Sequence, residues 1–287
     1  MKRAGWLFVI VVVVFCAGRC GSSGDSGGEP EVGKIVDSRT ETAASVPDGA
    51  SPQADVVNAE VAKEVVPEVV EKFTAADLVA LVDQDLYTDD LIFISEPRPP
   101  GSEHWQAVQD LCKERFEQLG LETSLHDYGS GINVIGVKTG VELPEEQVLV
   151  TAHYDHILNC PGADDNGTGV AGVLESAREL SMADYSRTLV VACWDEEELG
   201  MVGSYAYALE AKASGDNIVV AYVYEMIGYK SDEPGSQEIP VGFEYIFPEQ
   251  IAELEANEMK GDFLAIVSDD WAHEPAELIA SFGKAND

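Results

Sequence analysis

The sequence predicts an α/β fold: a three-layer domain in which helices flank a central, mixed, largely parallel β-sheet. Three observations carry the prediction. From about residue 73 onward, apolar runs of strand length alternate with amphipathic segments of helix length. Some runs, such as TLVVACW, are apolar on both faces, the pattern of a sheet covered on both sides. Three of the runs also end in ionisable residues, and α/β sheets collect their sites at the carboxyl edge.

In chain order, residues 75–82 read as a short helix. Over residues 104–119, Trp105, Val108, Leu111, Cys112, Phe116 and Leu119 fall near one helical face. Residues 133–137 form a short apolar strand, and residues 147–152 (QVLVTA) a second, richer in β-branched residues. Residues 168–182 place Val170, Val173, Leu174, Ala177 and Leu180 on one stripe of a helix. A strand at 188–194, a helix at 199–211 and a strand at 218–224 (IVVAYVY) follow.

The chain ahead of this domain has a different texture. Residues 1–20 read as a secretory leader: Lys2 and Arg3 precede an unbroken apolar run of ten, Trp6 to Phe15. That run is too short for a spanning helix, which needs about 20 residues. Cys20, followed by a Gly/Ser tract, resembles a bacterial lipoprotein attachment site. Acylation there and plain secretion are both open, and export follows from either. Residues 21–72 hold eleven acidic and four basic residues and no aromatic residue, so they read as an acidic, disordered linker. Residues 73–287 remain for the folded domain. The whole chain carries a net charge of -36, which excludes nucleic acid as the main partner. It also excludes adsorption to an anionic membrane, leaving an anchor at Cys20 as the membrane contact.

The three strand ends share one chemistry. The first gives His153-Tyr154-Asp155-His156, the second Asp195-Glu196-Glu197-Glu198, and the third Glu225. Between the first two lies the turn PGADDNGTG, with Asp164 and Asp165. Taken singly, each is the stuff of ordinary turns and solvated surface. Together they repeatedly set carboxylates at the inner ends of hydrophobic strands, which is costly without a cation or donor. Imidazole and carboxylate without thiol suit zinc, and a shared carboxylate suits two metals.

These stretches, AHYDH, PGADDNGTG, DEEELGMVGS and YEMIGY, resemble in order and spacing the two-zinc exopeptidase family of the secreted bacterial aminopeptidases and glutamate carboxypeptidase. RPPGS, at 98–102, resembles the family's loop before its first long helix, and the likeness covers roughly residues 76–287. It implies a peptide substrate, two zinc ions and the following roles. His153 binds the first zinc, and Asp155 fixes its tautomer through a hydrogen bond to the ring. Asp165 bridges both metals, with the adjacent Asp164 as the competing candidate. Glu197 is the general base, Glu198 binds the second zinc, and Glu225 stands where many relatives have a ligating aspartate. His156 falls where no ligand is expected and reads as lining the site or holding the loop.

The family's fifth ligand, a histidine late in the domain, has no counterpart in the motif order. A segment at 260–268 resembles a middle strand of the family's domain, and the chain ends at Asp287, so the domain reads as incomplete at its C-terminus. His273 reads as a surface residue ahead of a helix near Pro275, with a role as replacement ligand as the minor alternative. Two functions therefore stand: a zinc exopeptidase, aminopeptidase above all, or a catalytically impaired secreted or cell-surface binding domain on the same scaffold. The expectation for this chain is a second zinc held by Asp165 and Glu198 alone. A bridge between Cys112 and Cys160, and a thiol ligand at Cys160, stay open.

Overall fold

Apolar runs form strands and the amphipathic segments between them form helices, in the predicted alternation. A computed structural model describes residues 11–15, 74–239, 241–268 and 273–285. In chain order the elements are β1 (Val11–Phe15), α1 (Ala75–Val79), α2 (Gln84–Ile94), α3 (Glu103–Gln118), β2 (Glu122–Asp127), β3 (Ile132–Lys138), β4 (Leu143–His153), α4 (Gly169–Leu180), β5 (Arg187–Trp194), α5 (Val202–Ser214), β6 (Asn217–Glu225), α6 (Phe243–Ile246), α7 (Pro248–Ala256), β7 (Ala265–Ser268) and α8 (His273–Ala285). A wide helical turn, Ala163–Thr168, leads into α4.

The described strands form one sheet in the order β2-β3-β5-β4-β6-β1-β7. Its centre is the parallel trio β5-β4-β6. β3 runs antiparallel beside β5, and β2 antiparallel beside β3. The register sets His153 opposite Trp194 and Thr151 opposite Val223. His153 and Glu225, each two residues further on, therefore leave the sheet at the same level.

Both faces of the central strands are covered, as the continuous apolar runs require. On one face Val108, Cys112 and Phe116 of α3 and Val170, Val173 and Ala177 of α4 pack against Val134, Val150 and Val191. On the other, Ile135, Leu149, Val190 and Trp194 meet Tyr207 of α5. Full burial of each such side chain contributes about 1.5–3 kcal/mol. β5 is buried from Thr188 to Trp194, which fixes the strand whose end carries the acidic loop. α3 starts where the Ser102 hydroxyl accepts the Trp105 N–H at 3.2 Å. It stops at Gly120, whose φ of 74° is cheap only for glycine.

Four elements had no prediction: β2, α2, α6 and α7. β2 (ETSLHD) is a half-exposed edge strand with little apolar content, so it gives no periodic signal. α2 buries only Asp90 and Ile94, and its start rests on Asp83, which accepts the N–H groups of Asp85 and Leu86. Val11–Phe15, part of the expected leader, forms β1, antiparallel to β6 and parallel to β7. The rest of that leader, Cys20 included, and the expected linker at 21–72 lie outside the described residues. Among the described residues no helix is long and apolar enough to cross a membrane. Cys112, Cys160 and Cys193 are free thiols, so the open bridge between Cys112 and Cys160 is not formed. His273 begins α8, is 68% exposed and lies 3.2 Å from Glu277.

Candidate metal centre

The carboxyl ends of β4, β5 and β6 and the turn before α4 converge on one point. β4 delivers His153, followed by Tyr154, Asp155 and His156, all four buried. β5 delivers Asp195, whose carboxylate accepts the Trp105 indole N–H at 2.8 Å, the Ile132 N–H at 3.0 Å and the Glu196 N–H at 2.8 Å. This anchors the acidic loop at its root. Further along, Asp155 accepts the Glu197 N–H at 2.9 Å and the Glu198 N–H at 3.2 Å.

Asn166 is fully buried and joins the turn to the end of β6. Its amide donates to the Tyr224 carbonyl at 2.9 Å and to Glu225 Oε2 at 3.1 Å, and its oxygen accepts the Gly169 N–H at 3.1 Å. Those bonds place the preceding Asp165 opposite His153. Asp164 is used elsewhere: its Oδ1 accepts the Gly228 N–H at 3.0 Å and the Thr168 hydroxyl at 3.2 Å.

Two sets of donor atoms result. His153, Asp165 and Glu225 each offer one atom, all within 4.8 Å of one another, and so do His156, Asp165 and Glu198. Asp165 is common to both sets. His153 Nε2 lies 3.2 Å from Asp165 Oδ1, 3.5 Å from Glu225 Oε2 and 3.9 Å from Glu197 Oε2, yet makes no hydrogen bond. An orphaned buried polar atom costs about 1–3 kcal/mol. A cation among these atoms removes that cost, and two imidazoles with carboxylates are a donor set that fits zinc.

Charge follows the same layout. Burial opposes a charged His153 ring, but Asp155, Asp165 and Glu225 outweigh it and hold its pKa well above the ordinary value. Burial would raise Asp165 as well, yet the His153 ring keeps it below the usual carboxylate range. Burial pushes Glu197 up, and burial together with Asp165 pushes Glu198 up to about 7.

The structure brings every expected site residue, His153, Asp155, Asp165, Glu197, Glu198 and Glu225, into this one cluster. Asp155 does more than the expected contact with His153. The ring's Nδ1 lies 3.2 Å from its backbone carbonyl and 3.4 Å from its carboxylate, which also holds the acidic loop. His156, expected to line the site or hold the loop, stands in the second donor set. Cys160 is in neither set.

Arg98 was legible only as part of a loop motif. It is fully buried and donates to five carbonyls: Tyr154 at 2.7 Å, Pro161 at 2.8 Å, Gly162 at 2.9 Å, Ile94 at 3.2 Å and Glu96 at 3.5 Å. Burial lowers its pKa to about 10, so it stays charged at neutral pH beneath the acidic cluster.

Residues 133–260, which contain all of the donor atoms, match the family model described as Peptidase family M28. The chain is 32% identical over 145 residues to leupeptin-inactivating enzyme 1 of Streptomyces exfoliatus, covering 48% of this chain and 32% of that one. It is 38% identical over 76 residues to aminopeptidase YwaD of Bacillus subtilis, 26% of this chain and 17% of the relative. It is 43% identical over 61 residues to the probable lipoprotein aminopeptidase LpqL of Mycobacterium tuberculosis, 21% of this chain and 12% of the relative. The chain spans about a third or less of the length of these relatives. The part of the chain that carries the donor atoms is thus similar to peptidase family M28.

Proposed function

We propose that the protein is a zinc-dependent exopeptidase, acting as an aminopeptidase on peptides or aminoacyl substrates. The observation that carries this is the position of Glu197. Its carboxylate lies 3.9 Å from His153 Nε2, beside the donor set of His153, Asp165 and Glu225 but outside it. A structural metal has no use for such a neighbour, whereas hydrolysis needs a base there.

In this reading His153, Asp165 and Glu225 hold one zinc, and Asp165 extends to a second. Bound zinc would supply a more acidic water and a polarised scissile carbonyl. Glu197 takes the proton as the water oxygen adds to the carbonyl carbon, and returns it to the leaving nitrogen as the C–N bond breaks. Asp155 holds the backbone of Glu197 and the ring of His153, so base and ligand keep their separation. A free α-amine suits a cluster of carboxylates. A free α-carboxylate does not, because Arg98, the cation beneath the cluster, is buried and donates to carbonyls.

The names of two relatives, an aminopeptidase and a probable lipoprotein aminopeptidase, support the same class and an exported setting. Residues 1–20 then act as the leader, with acylation at Cys20 or simple secretion. Loss of residues 1–19 would take β1 from between β6 and β7.

The test is a panel of aminoacyl amides and N-acetylated peptides, assayed with metal-free and zinc-reconstituted protein. Zinc-dependent release of N-terminal residues, absent with the N-blocked peptides, is expected. Cleavage confined to N-blocked, C-terminally free peptides would make the enzyme a carboxypeptidase. No hydrolysis at all would leave the binding-domain reading.

A further inference from the structure

We propose that His156 is the third protein ligand of a second metal ion, held together with Asp165 and Glu198. The inference rests on the zinc reading above and adds a ligand that the motif resemblance did not supply.

His156 Nδ1 and Glu198 Oε1 lie 2.5 Å apart, both buried, and neither makes a hydrogen bond. Two such atoms, close together and each without a hydrogen bond, are a pair that one shared cation would satisfy. Asp165 completes the set, with all three ligand atoms within 4.8 Å of one another. The imidazole is seated for this role. The His156 N–H donates to the Arg98 carbonyl at 3.2 Å. Its ring lies against Gly162, where an added Cβ would come within 2.4 Å of the ring Cδ2. Gly162 itself, at a φ of 54°, is held by Arg98 through its carbonyl at 2.9 Å. On the far side, Asp155 fixes Glu198 through its N–H.

Both imidazoles then come from the four residues that end β4, His153 serving one side of Asp165 and His156 the other. Each metal would then have three protein ligands, the number that catalytic zinc sites use. The expected second site of two carboxylates is replaced by one with an imidazole, complete between residues 153 and 225. His273 has no part in it, being exposed and 3.2 Å from Glu277.

Calorimetric titration of the metal-free full chain with zinc tests the assignment. The unmodified chain should take up two equivalents. His156→Gln should keep the first and weaken the second by more than ~100-fold, beyond the 10–100-fold cost of losing an outer-shell partner. Glu198→Gln should lose that same equivalent, and His153→Gln the other. A chain labelled with ¹⁵N-histidine answers without substitution: one equivalent should shift the His153 ring resonances and the other those of His156. Two equivalents retained in His156→Gln, a smaller loss, or a second equivalent that leaves the His156 ring unshifted would overturn the proposal. If the unmodified chain binds no zinc, the exopeptidase reading fails; if it binds one, at His153, this inference alone fails.

Discussion

The carboxylate of Asp155 accepts the backbone N–H of Glu197 at 2.9 Å. Its second oxygen accepts the Glu198 N–H, so one buried acid at the end of β4 sets the loop that follows β5. In Asp155→Asn the amide oxygen can still accept one N–H, but the NH₂ group faces the other, donor against donor. Zinc affinity should fall ~10–100-fold, the usual cost of losing an outer-shell partner. Turnover should fall with it. A zinc competition assay checks this, and unchanged affinity would show that these bonds are dispensable.

Glu197→Gln separates base from ligand. The amide keeps the shape and leaves both donor sets intact, so zinc stoichiometry should not change. Turnover should drop by ~10²–10⁴-fold, the usual contribution of a general base. Full activity in this variant would move the base to another group.

The central sheet was legible because its strands are continuous apolar runs that no surface segment resembles. The candidate site residues were legible because hydrophobic strands rarely end in carboxylates by accident. Two sets of contacts were not legible, for a common reason. Arg98 and His156 act through contacts with residues 56 or more and 42 positions away, with Tyr154, Pro161 and Gly162 for the first and Glu198 for the second. No local period reports such contacts. A second imidazole three positions after the first was the one available signal, and the strand register was needed to see that both reach Asp165. β2 and α2 escaped because a half-exposed element has too few apolar positions to mark its period.

Arg98→Met should destabilise the domain. It removes the donor to five carbonyls that lie in three separate segments, at 94–96, 154 and 161–162. The loss should be on the order of 3 kcal/mol, because buried acceptors are left unpaired. Arg98→Lys should recover little, since an ammonium lacks the fork that reaches several segments at once. Urea unfolding of the metal-free variants checks both.

The leader and linker readings meet in one experiment. Protein recovered from an exporting bacterial host should have lost residues 1–19, and residues 21–72 should be digested well before the domain. With acylation, Cys20→Ser should move the protein from the membrane to the soluble fraction. A full-length mass with residues 11–15 protected from protease would instead keep β1 in the sheet and end the leader reading.

Glu179 gives the domain a pH dependence separate from the metal centre. It sits on α4, 9% exposed, with Oε1 unpartnered and Glu175 beside it. Burial, then the Glu175 charge, raise its pKa from the ordinary 4.5 to about 7. Arg178, 3.8 Å from Glu179, relieves it only in part, because its guanidinium bonds Glu175 and the Leu81 carbonyl instead. The folded state thus keeps a proton that the unfolded chain releases, and folding is favoured at low pH. This stability falls as pH rises from about 4.5 and is fully lost above about 7. Discounted for solvent screening, the penalty at pH 8 is about 1–2 kcal/mol. Glu179→Gln removes the ionisation, so it should be near neutral at pH 4.5 and stabilising by about that amount at pH 8. Urea unfolding of both metal-free proteins at the two pH values reads the difference directly. An equal effect at both would mean that Glu179 ionises in the folded state as freely as in the unfolded chain.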